Sequence, residues 1–144
     1  MKLVQNRGAD RAIDLLRPHL HPGGSIGFLS PRFSLYAFAE LRQDLARLGR
    51  TQLVLPADPA DLDLQGTEAD RAARNRLQSR WLANQCAVWL RGKVDVRVVP
   101  GRIPQGIVVM REPDGTPTQV AMGSVALSTD GLGLTPGNPL SLTQ

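Results

Sequence analysis

Ser25-Ile26-Gly27-Phe28-Leu29-Ser30 is a short apolar run halted by Pro31, and Thr51-Gln52-Leu53-Val54-Leu55 is a second one halted by Pro56. Each has the length and the boundaries of a buried strand. Between them Leu35, Phe38, Leu41, Leu45 and Leu48 recur at helical spacing. Ser34 precedes them as an N-cap, and Gly49 is placed to end the helix. Two strands separated by one helix predict a parallel crossover unit, and with it an α/β fold.

The same reading extends to both sides. Upstream, Ala9, Ala12, Ile13, Leu16 and Leu20 predict a first helix from Gly8 to Leu20. Pro18 weakens its last turn and Pro22-Gly23-Gly24 stops it. Downstream, Ala57 to Gly66 reads as an irregular acidic loop, after which Thr67, Glu68 and Asp70 open a third helix that runs to Gly92. Leu77, Trp81, Val88 and Trp89 make its apolar side; Arg76, Arg80 and Arg91 fall opposite, with Ala83 and Ala87 between. A basic stripe over small residues leaves room for a phosphate backbone, and an ordinary solvated face has the same pattern. The last third reads as β. Val94 to Val99 alternates with period two, Gly106 to Met110 follows the Pro100-Gly101 turn, and Thr118 to Leu127 follows the Pro113-Asp114-Gly115-Thr116 turn. The last two strands are expected to pair antiparallel. The tail from Thr129 to Asn138, rich in Gly and Pro, is expected to be loop.

The chain has 144 residues, room for one domain. Apolar residues are 42% and charged residues 21%, so a folded core is expected rather than disorder. No run approaches the ~20 apolar residues of a membrane span, and the N-terminus lacks the pattern of a secretory signal. The single Cys86 has no internal disulfide partner. These features point to a cytoplasmic protein with no membrane partner.

The formal charge is +4, and all the basic residues except Lys2 and Lys93 are arginine. Arginine forks onto phosphate, though a GC-rich coding sequence gives the same bias. The distribution says more than the total. Arg71, Arg74, Arg76, Arg80, Arg91, Lys93, Arg97 and Arg102 face a single acid, Asp95, within one segment, which follows the acidic stretch Asp58, Asp61, Asp63, Glu68 and Asp70. Those eight basic residues are the candidate nucleic-acid contacts.

The end of the chain resembles a half of the phospholipase D superfamily. In that family a strand carries His-x-Lys-x4-Asp, a hairpin follows, then Gly-Ser-x-Asn and a Gly-rich loop. Here the hairpin leads to Gly123-Ser124-Val125-Ala126 and then Asp130-Gly131-Leu132-Gly133-Leu134, with Ala126 in place of the Asn. Ala83-Asn84-Gln85-Cys86-Ala87-Val88-Trp89-Leu90-Arg91-Gly92-Lys93, followed by a hairpin, a Gly-containing loop and Asn138, is similar to the degenerate phospholipase D-like domain at the N-terminus of bacterial superfamily-two, Swi/Snf-type helicases. The resemblance implies a phospholipase D-like half with a mixed β-sheet of about five strands flanked by helices. It implies a single domain over residues 1–144, excised from a longer helicase, that binds DNA by its phosphate backbone. The alternative reading is a module that forms a homodimer or docks a protein partner without binding nucleic acid, since halves of that family pair about a two-fold axis.

The family's chemistry needs a His nucleophile, a second His as acid and a Lys that holds the phosphate oxygens. Aligned from the hairpin, Pro104 takes the place of the His and Gly106 that of the Lys, and the Asp position falls near Arg111. No His follows His21. The expectation is therefore a domain without catalytic residues. No cofactor is implied. His19 and His21 fall short of a metal site, which takes three or four ligands. Cys86, at helical spacing from Leu82 and Trp89, reads as packing. Trp81 and Trp89 could stack bases, but their side of the helix reads as core.

Overall fold

The computed structural model describes residues 1–62, 64, 76–92, 94–135 and 140–143. It is an α/β fold with a mixed sheet and flanking helices. The strands are β1 (Lys2–Val4), β2 (Ser25–Leu29), β3 (Arg50–Pro56), β4 (Val94–Val99), β5 (Gly106–Arg111), β6 (Pro117–Gly123) and β7 (Leu140–Thr143). Their order is β1-β7-β6-β5-β2-β3-β4. The helices are α1 (Ala12–Leu16, continued as a 3₁₀ turn over Arg17–His19), α2 (Leu35–Arg47), α3 (Pro59–Leu62) and α4 (Arg76–Gly92).

The unit that decides the fold forms as its residues dictate. β2 and β3 pair parallel, with Phe28 opposite Leu53, and α2 connects them. The Ser34 hydroxyl accepts from the Tyr36 amide at 3.2 Å, capping α2, and Leu41 and Leu45 are buried against the sheet. Gly49 serves close approach more than helix termination: a Cβ there would stand 2.8 Å from the Gly23 carbonyl oxygen. β4 continues the parallel set beyond β3, and the β5–β6 hairpin turns antiparallel on the other side of β2.

Four pairings in the sheet are antiparallel between β2 and β1, so β1 runs in the same direction as β2. From β1 to β2 to β3 to β4 every crossover steps the same way across the sheet. Right-handed crossovers that all step one way place all their helices on one face. The core lies there: Ile26, Phe28, Leu53, Val108, Met110 and Ala121 from the strands meet Ile13, Phe38 and Cys86 from the helices. Among the described residues the other face carries no helix.

The structure departs from the sequence reading at four places. The first helix begins at Ala12 rather than Gly8, because Asn6 and Gly8 have positive φ (59° and 63°) and Arg7 and Asp10 close a turn. Two short strands, β1 and β7, add an edge beyond the five expected strands, and β7 occupies sequence that follows the Gly- and Pro-rich tail. β6 stops at Gly123 instead of reaching Leu127: Val125, Ala126 and Leu127 leave the sheet and enter the core. A one-turn helix, α3, sits in the acidic stretch read as loop. The expected start of the third helix, at Thr67, lies outside the described residues.

Candidate nucleic-acid interface

The eight candidate contacts do not share one surface. Arg71, Arg74 and Lys93 lie outside the described residues, and of Arg76 only the backbone is described. On α4, Leu82 and Cys86 are buried, which places Arg80 and Arg91 on the opposite side, both exposed. Neither makes an ion pair with a described residue. The apolar side of α4 is centred one residue away from the expected stripe. Trp81 is 50% and Val88 64% exposed, while Trp89 packs on Phe38 with ring centroids 5.2 Å apart. Trp81 instead carries the Arg42 guanidinium 4.8 Å above its ring, a cation–π contact.

Arg97 lies across the sheet from Arg80 and Arg91, on the helix-free face. It lines a groove of about 590 Å³ there with Arg50, Arg111, Gln52, Gly27 and Val109. The sheet register explains the grouping. Ser25 in β2 is flanked by Arg50 of β3 on one side and Arg111 of β5 on the other. Residues opposite each other point to the same face, so the two arginines stand two strands apart, about 10 Å. Arg97, beside Val54, adds a third cation further along the strands, with Asp95 3.3 Å from its Nε. Arg50 and Arg111 make no ion pair among the described residues; Arg111 donates to the Gly115 carbonyl at 3.2 Å. No aromatic side chain other than Phe28, which is buried on the helix side, borders this groove.

The carboxyl ends of the parallel strands, where open α/β sheets commonly hold ligands, carry a second set of charges. Arg32 follows β2 and pairs with Asp130 at 3.0 Å, and Arg102 follows β4 and pairs with Asp61 at 3.4 Å. Burial pushes the Asp130 carboxyl up, but hydrogen bonds from Ser128 and Arg32 and the Arg32 charge outweigh it and hold it below its ordinary range. Ser30 locks this end: its hydroxyl donates to the Arg32 carbonyl and accepts from the Leu127 amide at 2.9 Å. The loop beyond β6 is fixed from the other side by Asn6, which is fully buried. Its Nδ2 donates to the Asp130 and Gly131 carbonyls at 3.0 Å each, and its Oδ1 accepts from the Ala12 amide at 2.9 Å.

Gly106, the position aligned with the family's lysine, opens β5 against this loop. A Cβ at that position would fall on the Val125 carbonyl oxygen, so no side chain fits there without moving backbone. The histidines are at the other end of the sheet. His21 Nδ1 is 2.6 Å from Glu112, which follows the last residue of β5, whereas Ser124 follows Gly123, paired with the first residue of β5. The length of a six-residue strand, about 20 Å, separates the two ends. The hydrogen bond with Glu112 raises the His21 pKa above its ordinary value. Cys86 is a free thiol, 3% exposed, and burial pushes its pKa up to about 11. Among the described residues no three His, Cys, Asp or Glu side chains are grouped to hold a metal ion. No helix among them is long and apolar enough to cross a membrane.

The sequence reading missed Arg50 and Arg111. Arg50 opens β3 at the parity of Gln52 and Arg111 closes β5 at the parity of Val109, a signal that becomes useful once the helix-free face is known. No family model matches the chain, and neither a curated protein nor a solved structure matches it.

Proposed function

We propose that this chain is a non-catalytic, phospholipase D-like accessory domain of a DNA helicase, which holds nucleic acid by its phosphate backbone. One observation carries the reading: Arg50, Arg97 and Arg111 converge on a wide groove on a sheet face that no described helix covers. Bidentate guanidinium groups on a rigid sheet suit phosphate, and the lack of exposed aromatic rings there favours backbone contact over base stacking. Arg80 and Arg91 on the far side of the domain offer a second, smaller basic surface. The hairpin, the Gly123-Ser124 pair and the glycine-containing loop follow one another as the resemblance requires. The blocked space at Gly106 and the pairing of His21 with Glu112 favour holding over cleaving.

The test is a DNA titration at low and at physiological salt with the parent, with Arg50→Ala/Arg111→Ala and with Arg80→Ala/Arg91→Ala. The parent is expected to bind at about 50 mM salt and to weaken steeply as salt rises. Removing Arg50 and Arg111 is expected to weaken binding and to lower the slope of log affinity against log salt by about two. Absence of binding by the parent at low salt would overturn the proposal. A parent-like slope in the Arg50/Arg111 variant, with loss in the Arg80/Arg91 variant, would move the site to α4.

A further inference from the structure

We propose that β4 is the interface for a second copy of this chain, joined edge to edge by antiparallel pairing centred on Val96. β4 ends the sheet, and among the described residues no strand pairs with its outer side. It is six residues long, Val94-Asp95-Val96-Arg97-Val98-Val99, rich in β-branched residues, and free of proline and glycine. Such an edge is a template for another strand unless charge, a bulge or a covering element blunts it. The helix layer stops short of it: Val96 and Val98 point to the helix side, beside Leu53 and Leu55, yet remain 38% and 63% exposed. The opposite edge, β1, has only three residues.

The charges select the partner and the register. Side chains directly opposite each other in an antiparallel pair point the same way, so a two-fold axis normal to the sheet must pass midway between the two copies of one residue. With the axis at Val96, Asp95 of each copy faces Arg97 of the other, twice, on the helix-free face. Val94 then faces Val98 and Val96 faces Val96 on the helix side. An axis one residue earlier sets Asp95 against Asp95, and one residue later sets Arg97 against Arg97. Opposite charges across a ladder stabilise it and like charges destabilise it, so one register is favoured and its neighbours are opposed. Within one copy Arg97 already leans toward Asp95, at 3.3 Å. Pairing would gather the four groups into one alternating cluster. It would also keep both arginine-lined grooves on the same side of one continuous sheet.

The inference does not depend on nucleic-acid binding, and its test contains none. The mass in solution is measured by sedimentation for the parent, for Asp95→Arg, for Arg97→Asp, for an equimolar mixture of those two, and for the double variant Asp95→Arg/Arg97→Asp. The parent is expected at twice the 15.6 kDa chain mass. Each single reversal sets like charges opposite each other and is expected to weaken association about tenfold or more. The mixture restores both opposite pairs and is expected to form a heterodimer, and the double variant a homodimer. Recovery in the mixture also shows that the single variants are folded. Arg50→Ala/Arg111→Ala is expected to leave the dimer intact, which separates this interface from the phosphate groove. A monomeric parent up to millimolar concentration, or a dimer that either single reversal leaves unchanged, would overturn the proposal.

Discussion

His21 Nδ1 lies 2.6 Å from Glu112 Oε1, an ion pair that ties the loop before β2 to the loop after β5. Glu112 raises the imidazole above its ordinary value of 6.5. A group whose pKa is raised by folding contributes stability that is fully present below its unfolded value and is lost as pH rises through its folded value. Thermal melts of the parent and of Glu112→Gln between about pH 5 and 8 should therefore differ most at the acid end and converge at the alkaline end. A gap that widens with pH would show that the pair does not act in this way.

Replacing Asn6 should be among the most damaging single changes outside the hydrophobic core. It makes three hydrogen bonds, two of them buried and one partly buried, and holds φ 59°, a conformation Asn tolerates better than most residues. Asn6→Ala removes the donor to the Gly131 carbonyl and the acceptor of the Ala12 amide, while the Asp130 carbonyl keeps the Gly133 amide, and is expected to cost about 3 kcal/mol. Asn6→Asp keeps the shape but turns an acceptor toward two carbonyls, and should destabilise most when ionised. Urea denaturation at neutral and at acidic pH measures both effects; equal stability of Asn6→Asp and the parent at neutral pH would contradict the assignment.

Gly106 admits no side chain, because the Val125 carbonyl occupies the space a Cβ would need. Gly106→Ala is expected to lose more than about 4 kcal/mol, the range reserved for changes that displace backbone or core. Gly106→Lys, which places a lysine at the position aligned with the phospholipase D motif, should behave no better and gain no phosphodiesterase turnover. A melting temperature for Gly106→Ala within a few degrees of the parent's would refute the packing argument.

Cys86 should be inert in the folded protein. Burial pushes its thiol to about pKa 11 and leaves it 3% exposed, so little thiolate is present and little of it is reachable. An aromatic disulfide reagent at about pH 8 is expected to react only after denaturant is added, with one thiol released per chain. Complete reaction within seconds in native buffer would disprove it.

The parts of the fold that were legible were those with enough residues to show a period. α2 declares itself through five spaced apolar residues and a serine cap, and β2 and β3 through apolar runs that end at proline. β1 and β7 have three and four residues, too few for an alternating pattern to register. Their position, stitched together at the sheet's edge, is a property of the whole chain. The stretch after Gly123 has the pattern first of a strand and then of a loop, yet Val125, Leu127 and Leu132 are core residues. Apolar side chains within a turn-rich segment were the available signal. On α4 the stripe through Trp81 and Val88 looked as apolar as the one through Leu82 and Cys86. Only the approach of α2 and β4 decides between them. The arginines were visible as a charge-rich segment, but their division between α4 and the helix-free face follows from crossover handedness and strand order together.

The pairing of β1 with β7 brings Lys2 against Leu142, so this ladder closes a loop of nearly the entire chain. Contacts so distant in sequence bear the largest closure entropy and return it only when everything between is in place. The ladder should therefore zip up late in refolding and fray early, with amide protons of Leu3 and Val4 exchanging well before those of Phe28 and Leu53. The order of assembly would run outward from β2, the strand that joins the parallel half of the sheet to the antiparallel half.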